Sequence, residues 1–216
     1  FNRLNNALNL TSAEKRNAYV GQVTSQAKQL VRVIDDKKLD KDFLGFSNNR
    51  MAYDDLMIKI CFMLEKDGLS TNISDKTLSD RYKEDISFPD AVVSSVESAI
   101  CLLASIRSRC LESNIDVHVT KATAFTWVYF ISKLYIRLGN SVSSEKIINT
   151  FMVFEGSRTS YRNGVNVNEI SDIPLSIISL QSLFELYNHR ASSKVMTLES
   201  MLIRESIVIL FYAYLY

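Results

Sequence analysis

Apolar residues recur at intervals of three and four along most of this chain, the spacing that places them on one face of an α-helix. The clearest stripe follows Pro89 and runs through Val92, Val96, Ala99, Leu103, Ile106 and Cys110. Similar stripes occur at about 22–38, 120–139, 144–155, 175–190 and 198–216. The 6 Gly and 2 Pro leave few of the turn signals that separate strands. The pattern predicts an all-α fold, an irregular bundle of about eight to nine helices with little or no sheet.

The segment 50–66 differs from the other stripes because apolar residues occupy nearly its whole circumference. A helix that is apolar all round belongs at the centre of a domain. Aromatic residues also spread around the helix that Thr120 caps, at Phe125, Trp127, Tyr129 and Phe130. A cofactor-stacking surface is one interpretation, but aromatic residues at helical spacing more often bury area in a core. We therefore expect both segments to form the core.

Helix starts are marked by side chains that cap free backbone amides. Thr11 followed by Glu14 has the spacing of a capping box. Ser74, Thr120 and Thr197 stand where three further helices are expected to begin. The polar stretch 156–164, which ends in an Asn-Gly pair, is predicted to be a loop.

Charge and cysteine content narrow the class of protein. The 25 Lys and Arg against 24 Asp and Glu leave a net charge of +1, so any attraction to nucleic acid must come from a local patch. The three cysteines, Cys61, Cys101 and Cys110, lie in apolar helical stretches without metal-ligand spacing. They favour neither a disulfide framework nor a zinc site, and indicate a cytoplasmic protein. The apolar run 207–216 is shorter than the roughly 20 residues of a membrane span, so we expect a soluble chain with no membrane partner.

The amino-terminal sequence F-N-R-L-N followed by L-T-S-A-E-K-R-N-A resembles the junction segment of the GmrSD-type restriction endonuclease N-terminal family of bacterial defence proteins. The matching positions are Phe1, Arg3, Leu4, Asn5, Leu10, Glu14, Arg16, Asn17, Ala18 and Gly21. Arg50 and Asp54 resemble the Arg and Asp that precede an apolar helix in that family. Beyond about Leu64 only a similar helical style remains.

The resemblance implies that the chain is the helical second half of a larger antiphage protein. In that family the first half is a ParB-like or sulfiredoxin-like domain with an Asp-Gly-Gln-Gln-Arg motif, and this motif does not occur here. Residues 1–216 would form a single helical domain, a fragment in which 1–21 is the junction to a missing amino-terminal catalytic domain. No cofactor is expected in this chain, whereas the missing domain would bind a nucleotide and a divalent metal. We expect no hydrolysis of nucleotide or DNA by this fragment alone.

The candidate site residues fall into two groups. The first group, Arg3, Asn5, Glu14, Arg16 and Asn17, is predicted to face the junction or to bind phosphate. Arginine can bind phosphate through two parallel hydrogen bonds, but these residues could instead pair with the missing domain, and Glu14 could serve only as a cap. The second group consists of Arg158, Tyr161, Arg162 and Asn163, where two guanidinium groups and a ring suit contact with nucleic acid. The alternative for this second group is a solvated loop.

Other polar residues carry weaker signals. Asp54 and Asp55 suit the positive end of a helix, and Asp54 is expected to pair with Arg50. His118 and His189 have no nucleophile or metal ligand at a recognisable spacing.

Two functions from different classes are compatible with these residues. In the first, the chain positions DNA, or the catalytic domain, in a restriction system. In the second, it is a structural or oligomerisation module that does not bind nucleic acid, with a homo-oligomer as one form. A full-length sequence with the upstream Asp-Gly-Gln-Gln-Arg motif would favour the first.

Overall fold

A computed structural model describes residues 9–66, 68, 73–166 and 179–215 of the chain. These residues contain ten α-helices and no strand, which confirms the all-α prediction. Nine of the helices have six or more residues, and α3 is a single turn. The helices are α1 (Ser12–Asn17), α2 (Gln22–Asp36), α3 (Lys41–Leu44), α4 (Ala52–Glu65), α5 (Asp75–Lys83), α6 (Asp90–Glu112), α7 (Lys121–Leu138), α8 (Ser144–Arg162), α9 (Leu180–Ser192) and α10 (Leu198–Tyr214).

Helices α4, α6 and α7 form the centre of the bundle. Helix α4 packs against α2, α6 and α7, and nine of its fourteen residues are buried, as its apolar circumference predicts. Helix α7 packs along α6 and also contacts α10. The Trp127 ring on α7 is fully buried and lies 4.8 Å from the Phe151 ring on α8, centroid to centroid. The aromatic residues of α7 are therefore core residues, as the helical spacing indicated.

The predicted caps are present. Thr11 and Glu14 form the complete capping box of α1, and Ser74, Thr120 and Thr197 each accept a hydrogen bond from an amide in the first turn of their helix. These interactions satisfy backbone amides that have no partner within the helix. Helix starts were thus readable from short sequence patterns.

The prediction of a loop at 156–164 was wrong, because α8 continues to Arg162. Gly156 lies inside the helix, where a Cβ would be 3.2 Å from Ile115 Cγ2. Arg158 and Thr159, which follow, are buried and hydrogen-bonded. Hydrogen bonds between these polar side chains and distant residues therefore stabilise the helix beyond Gly156, where the local sequence predicted that it ends.

Helix α6 is long and apolar enough, by length and composition, to cross a membrane, but half of its apolar window is buried inside the protein. No other helix within the described ranges passes the same test. The buried residues of α6 include Val96, Ala99 and Ile106, which belong to the stripe identified in the sequence. Its apolar character is thus used in packing against α7.

Candidate functional site

A cleft of about 460 Å³ opens beside the first helix, and we call it the Asp55 cleft. It brings together polar side chains from α1, α4, α5 and the start of α7. Its charged lining consists of Arg16, Arg50, Asp55, Lys59, Asp75 and Lys121. The cleft contains one of the predicted junction residues, Arg16, and three further cations that no sequence pattern had grouped with it.

Asp55 is the acceptor at the centre of this cleft. Its carboxylate accepts hydrogen bonds from Arg16 at 2.8 Å, from Lys59 at 2.8 Å and from Lys121 at 2.9 Å. Burial opposes ionisation of Asp55, but the two lysines outweigh burial and the pKa of Asp55 lies below its usual value. Three cations around one carboxylate leave an excess of positive charge at this point.

Arg16 is only 2% exposed and donates to Asp75 at 3.1 Å as well as to Asp55. It is therefore paired within the chain, which differs from the expectation that it faces a separate domain. Asn17, also from the predicted junction group, lies 3.4 Å from the sulfur of Met51. Arg3 and Asn5 of that group lie outside the described residues.

Arg50, which lines the cleft, has an unusual backbone conformation. Arg50 and Met51 have φ values of 55° and 61°, in the left-handed region that non-glycine residues rarely occupy. Arg50 donates to Glu14 and to the carbonyl of Asn9, rather than pairing with Asp54 as expected. Such a conformation costs roughly 1–2 kcal/mol per residue. Strain of this kind is frequent at functional sites.

We expect the Glu14 carboxyl to titrate at about pH 2, because hydrogen bonds from Arg50 and Thr11 lower its pKa from 4.5 to about 2. Arg50→Ala should move the pKa back towards 4.5, since Arg50 is the largest cause. Carbon-detected NMR titration of the side-chain carboxyl measures this. The stabilisation from Glu14 is complete above pH 4.5 and is lost as the pH falls to about 2. Lys83→Ala serves as the control, and a Glu14 pKa that is the same in Arg50→Ala would contradict the assignment.

A second cleft, of about 470 Å³, lies between α8, α9 and the extended link that precedes α7, and we call it the histidine cleft. The only two histidines of the chain, His118 and His189, both line it. The remaining lining residues are Thr120, Arg158, Arg162, Asn188, Ala191 and Ser192. The fold thus places two arginines and both histidines around one opening, which sequence spacing alone did not indicate.

Arg158 joins the three walls of the histidine cleft. It is 1% exposed and donates to the Glu155 carboxylate, to Oδ1 of Asn188 at 2.7 Å and to the carbonyl of His118 at 2.6 Å. Trp127 Nε1 donates to the other oxygen of Glu155 at 2.8 Å. The Arg158–Glu155 pair is therefore a buried ion pair with hydrogen bonds on both partners, and it holds the cleft walls in place.

A further buried cation, Arg204, lies behind the α9 wall. Arg204 is 0% exposed and donates to Thr126 Oγ1 and to the carbonyls of Arg190 and Val195. No carboxylate among the described residues pairs with it, and its Nη2 atom has no hydrogen-bond acceptor there. Burial lowers the pKa of Arg204, but a guanidinium stays charged in proteins. The charge of Arg204 is thus not balanced by a neighbouring acid.

The predicted nucleic-acid residues are separated by the structure rather than presented together on a loop. Arg158 is buried, and the Tyr161 hydroxyl donates to Glu185 at 3.0 Å. Arg162 is exposed in the last turn of α8, and Asn163 is the exposed residue that follows it. Only Arg162 and Asn163 are therefore open to solvent as the prediction required.

Consecutive residues at the amino end of α7 line the two clefts. Thr120 lines the histidine cleft and Lys121, the next residue, lines the Asp55 cleft. The link before Thr120 is held tightly, because Gly45, at φ 73°, packs so close to the Val119 carbonyl that a Cβ would lie 1.9 Å from its oxygen. No side chain larger than hydrogen fits at Gly45. The link is therefore held against the residue that follows α3.

Across the described ranges, no three His, Cys, Asp or Glu side chains form a group that could hold a metal ion. Comparison of the chain with protein-family models, with curated proteins and with solved structures finds no match. The function must therefore be inferred from the two clefts.

Proposed function

We propose that this chain is a helical module that binds the phosphate backbone of DNA along the surface formed by the two clefts. The observation that carries the proposal is that consecutive residues, Thr120 and Lys121, line the two clefts, and that cations line both. Phosphate contacts by Lys and Arg supply most of the sequence-independent affinity of proteins for DNA. A local basic surface is also what a chain of net charge +1 requires for such binding.

The charge balance of this surface supports anion binding. The four cations of the Asp55 cleft, Arg16, Arg50, Lys59 and Lys121, exceed by one the carboxylates that pair with them, Asp55, Asp75 and Glu14. Lys121 remains 37% exposed, and Arg50 47% exposed, so both can reach a ligand while paired. In the histidine cleft, Arg162 is exposed, and no carboxylate in the described part of the chain pairs with it. These are the groups we expect to contact phosphates.

The resemblance to GmrSD-type defence proteins gives this binding a biological setting. We infer that the module positions modified or foreign DNA for a catalytic domain of a cytoplasmic restriction system, in which any nucleotide and divalent metal would be bound outside this chain. The catalytic chemistry would belong to that other domain.

Binding is tested with a fluorescein-labelled duplex that has 5′-hydroxyl ends, so that only internal phosphates are offered. We expect binding by fluorescence anisotropy at about 50 mM salt that weakens with added salt by roughly 0.9 log units per log unit for each phosphate contacted. Lys121→Ala with Arg162→Ala should reduce that slope by about 1.8, since each variant removes one contact. Both side chains are partly or fully exposed, so the fold is expected to persist.

Lys28→Ala is the matched control, because Lys28 is an exposed lysine on α2 that lies in neither cleft. It should leave the affinity and the slope unchanged. Equal slopes for the double variant and the control, or an absence of binding at low salt, would rule out the proposed surface.

A second function, an interaction module that holds domains or subunits together, is favoured by exposed apolar residues near the first helix. Val20 is 100% exposed and Ile86 is 62% exposed, and the segments that carry them are joined by the Gln22 amide, which donates to Asp85. If this function holds, light scattering should show a concentration-dependent homo-oligomer that Val20→Ser with Ile86→Ser disrupts, with DNA absent.

A further inference from the structure

The histidine cleft offers hydrogen-bond donors from three directions. A guanidinium has five N–H groups, and Arg158 uses four of them for Glu155, Asn188 and His118, which leaves one on Nη1. Because Asn188 accepts from Arg158 through Oδ1, its Nδ2 group is a donor that remains for a ligand. Arg162 on α8, His118 on the link and His189 on α9 also line the cleft. The cleft is therefore a concave surface of hydrogen-bond donors, and a ligand that fits it must supply acceptors.

The buried charge behind the walls of the histidine cleft is positive, as are the charges that line it. Arg158 is balanced by Glu155, whereas Arg204 is buried without a carboxylate partner among the described residues. Arg204 donates to the carbonyl of Arg190, which follows His189 directly in the cleft wall. The carbonyls at the end of α9 would repel an anion, but Arg204 and the Ser192 hydroxyl donate to three of them, those of Asn188, His189 and Arg190. An anion in the cleft thus meets a net positive surrounding.

The arrangement favours a terminal phosphate over an internal one. A phosphodiester presents two non-bridging oxygens, and its strand must both enter and leave the site. A phosphate monoester presents three terminal oxygens and up to two negative charges, and only one bond leads away from it. Donors on three walls match three oxygens.

We propose that the histidine cleft binds a terminal phosphate monoester, either the 5′-phosphate of a DNA strand end or the phosphate of a mononucleotide. Arg162 and His189 contact its oxygens from α8 and α9, and His118 contacts it from the link. The strand-end form rests on the proposed function, in which the Asp55 cleft holds the adjoining backbone. The volume of about 470 Å³ is large enough for a phosphate with its nucleoside.

The experiment compares two otherwise identical labelled oligonucleotides, one with a 5′-phosphate and one with a 5′-hydroxyl. We expect the phosphorylated strand to bind roughly tenfold more tightly, the effect of one added charge-assisted hydrogen bond. Arg162→Ala with His189→Asn should remove the difference, and Lys28→Ala should keep it. Arg158 is left intact because its replacement would endanger the fold.

Unlabelled AMP and inorganic phosphate distinguish the two sources. Displacement of the phosphorylated strand by AMP at equal concentration identifies a mononucleotide site, and displacement only by a phosphorylated strand identifies a strand-end site. Both results support a monoester site. Equal affinity for the two oligonucleotides, together with no effect of AMP or phosphate, would overturn it, even if internal DNA binding through Lys121 persists. Phosphate binding without any DNA binding would instead refute the proposed function alone.

An NMR readout at His118 reports on occupancy directly. In the free protein, the pKa of His118 is lowered by desolvation and by Arg162 and Arg158, while Glu155 and Asp116 act in the opposite direction. A bound phosphate should raise the pKa of His118, because an anion favours the protonated imidazole. An imidazole pKa that saturating phosphate leaves unchanged in the wild-type chain would count against the site.

Discussion

Glu155→Gln should destabilise the protein by about 3–5 kcal/mol, the usual cost of removing one partner of a buried ion pair. Glu155 is 0% exposed, and Arg158 would keep its charge at 1% exposure with no carboxylate beside it. The unpaired Arg204 charge adds to this cost, since two buried cations would then lie near α9 without an acid. Urea unfolding followed by Trp127 fluorescence measures the loss.

Glu145→Gln is the matched control on the same helix. Glu145 is 62% exposed and its nearest approach to Arg109 is 3.5 Å, so its loss should cost well under about 1 kcal/mol. Combining Glu155→Gln with Arg158→Met should recover part of the loss, because both charges are then absent. A cost below about 1 kcal/mol for Glu155→Gln alone would mean that water reaches the Arg158 guanidinium.

Ile60→Ala should cost about 2–5 kcal/mol, the range observed when a large apolar side chain is removed from a packed core. Ile60 is 0% exposed on α4, which packs against α2, α6 and α7, so the cavity is enclosed by helices that cannot easily collapse into it. The free energy of unfolding from denaturant titration gives the value.

Ile86→Ala removes the same atoms from a surface position, because Ile86 is 62% exposed. Its effect should stay within about 0.5 kcal/mol, the usual range for surface substitutions. A loss below about 1 kcal/mol for Ile60→Ala, or equal losses for the two variants, would show that α4 is not the centre of the core.

Much of the fold was predictable because helix signals are local. Thr11, Ser74, Thr120 and Thr197 cap helices whose amides lie three residues ahead, and the burial of α4 follows from its own apolar residues. The exception is α8, where local composition favoured a loop after Gly156. The helix continues there because Arg158 pairs with Glu155 and Asn188, and Asn188 lies 30 residues away in sequence.

The candidate site was predicted less well, for a physical reason. Arg16 was predicted to face outward, yet it pairs with Asp55 and Asp75, which lie 39 and 59 residues away. A long polar side chain carries no local sign of whether its partner is another domain, a ligand or a distant residue of the same chain. Only Arg162 and Asn163 of the predicted nucleic-acid group are open to solvent, because the helix turns the others inward.

The sequence by itself determined the helical class, the capped starts of the helices and the apolar faces that form the core, since each depends on residues within a few positions of one another. The tertiary structure decided which charges are neutralised and which are left in excess. Packing of α7, α8 and α9 brings His118 and His189 to one cleft, and leaves Arg204 buried without an acid in the described part of the chain. Coulomb interactions act through space between residues that are distant in sequence, so no local pattern could have indicated this cleft.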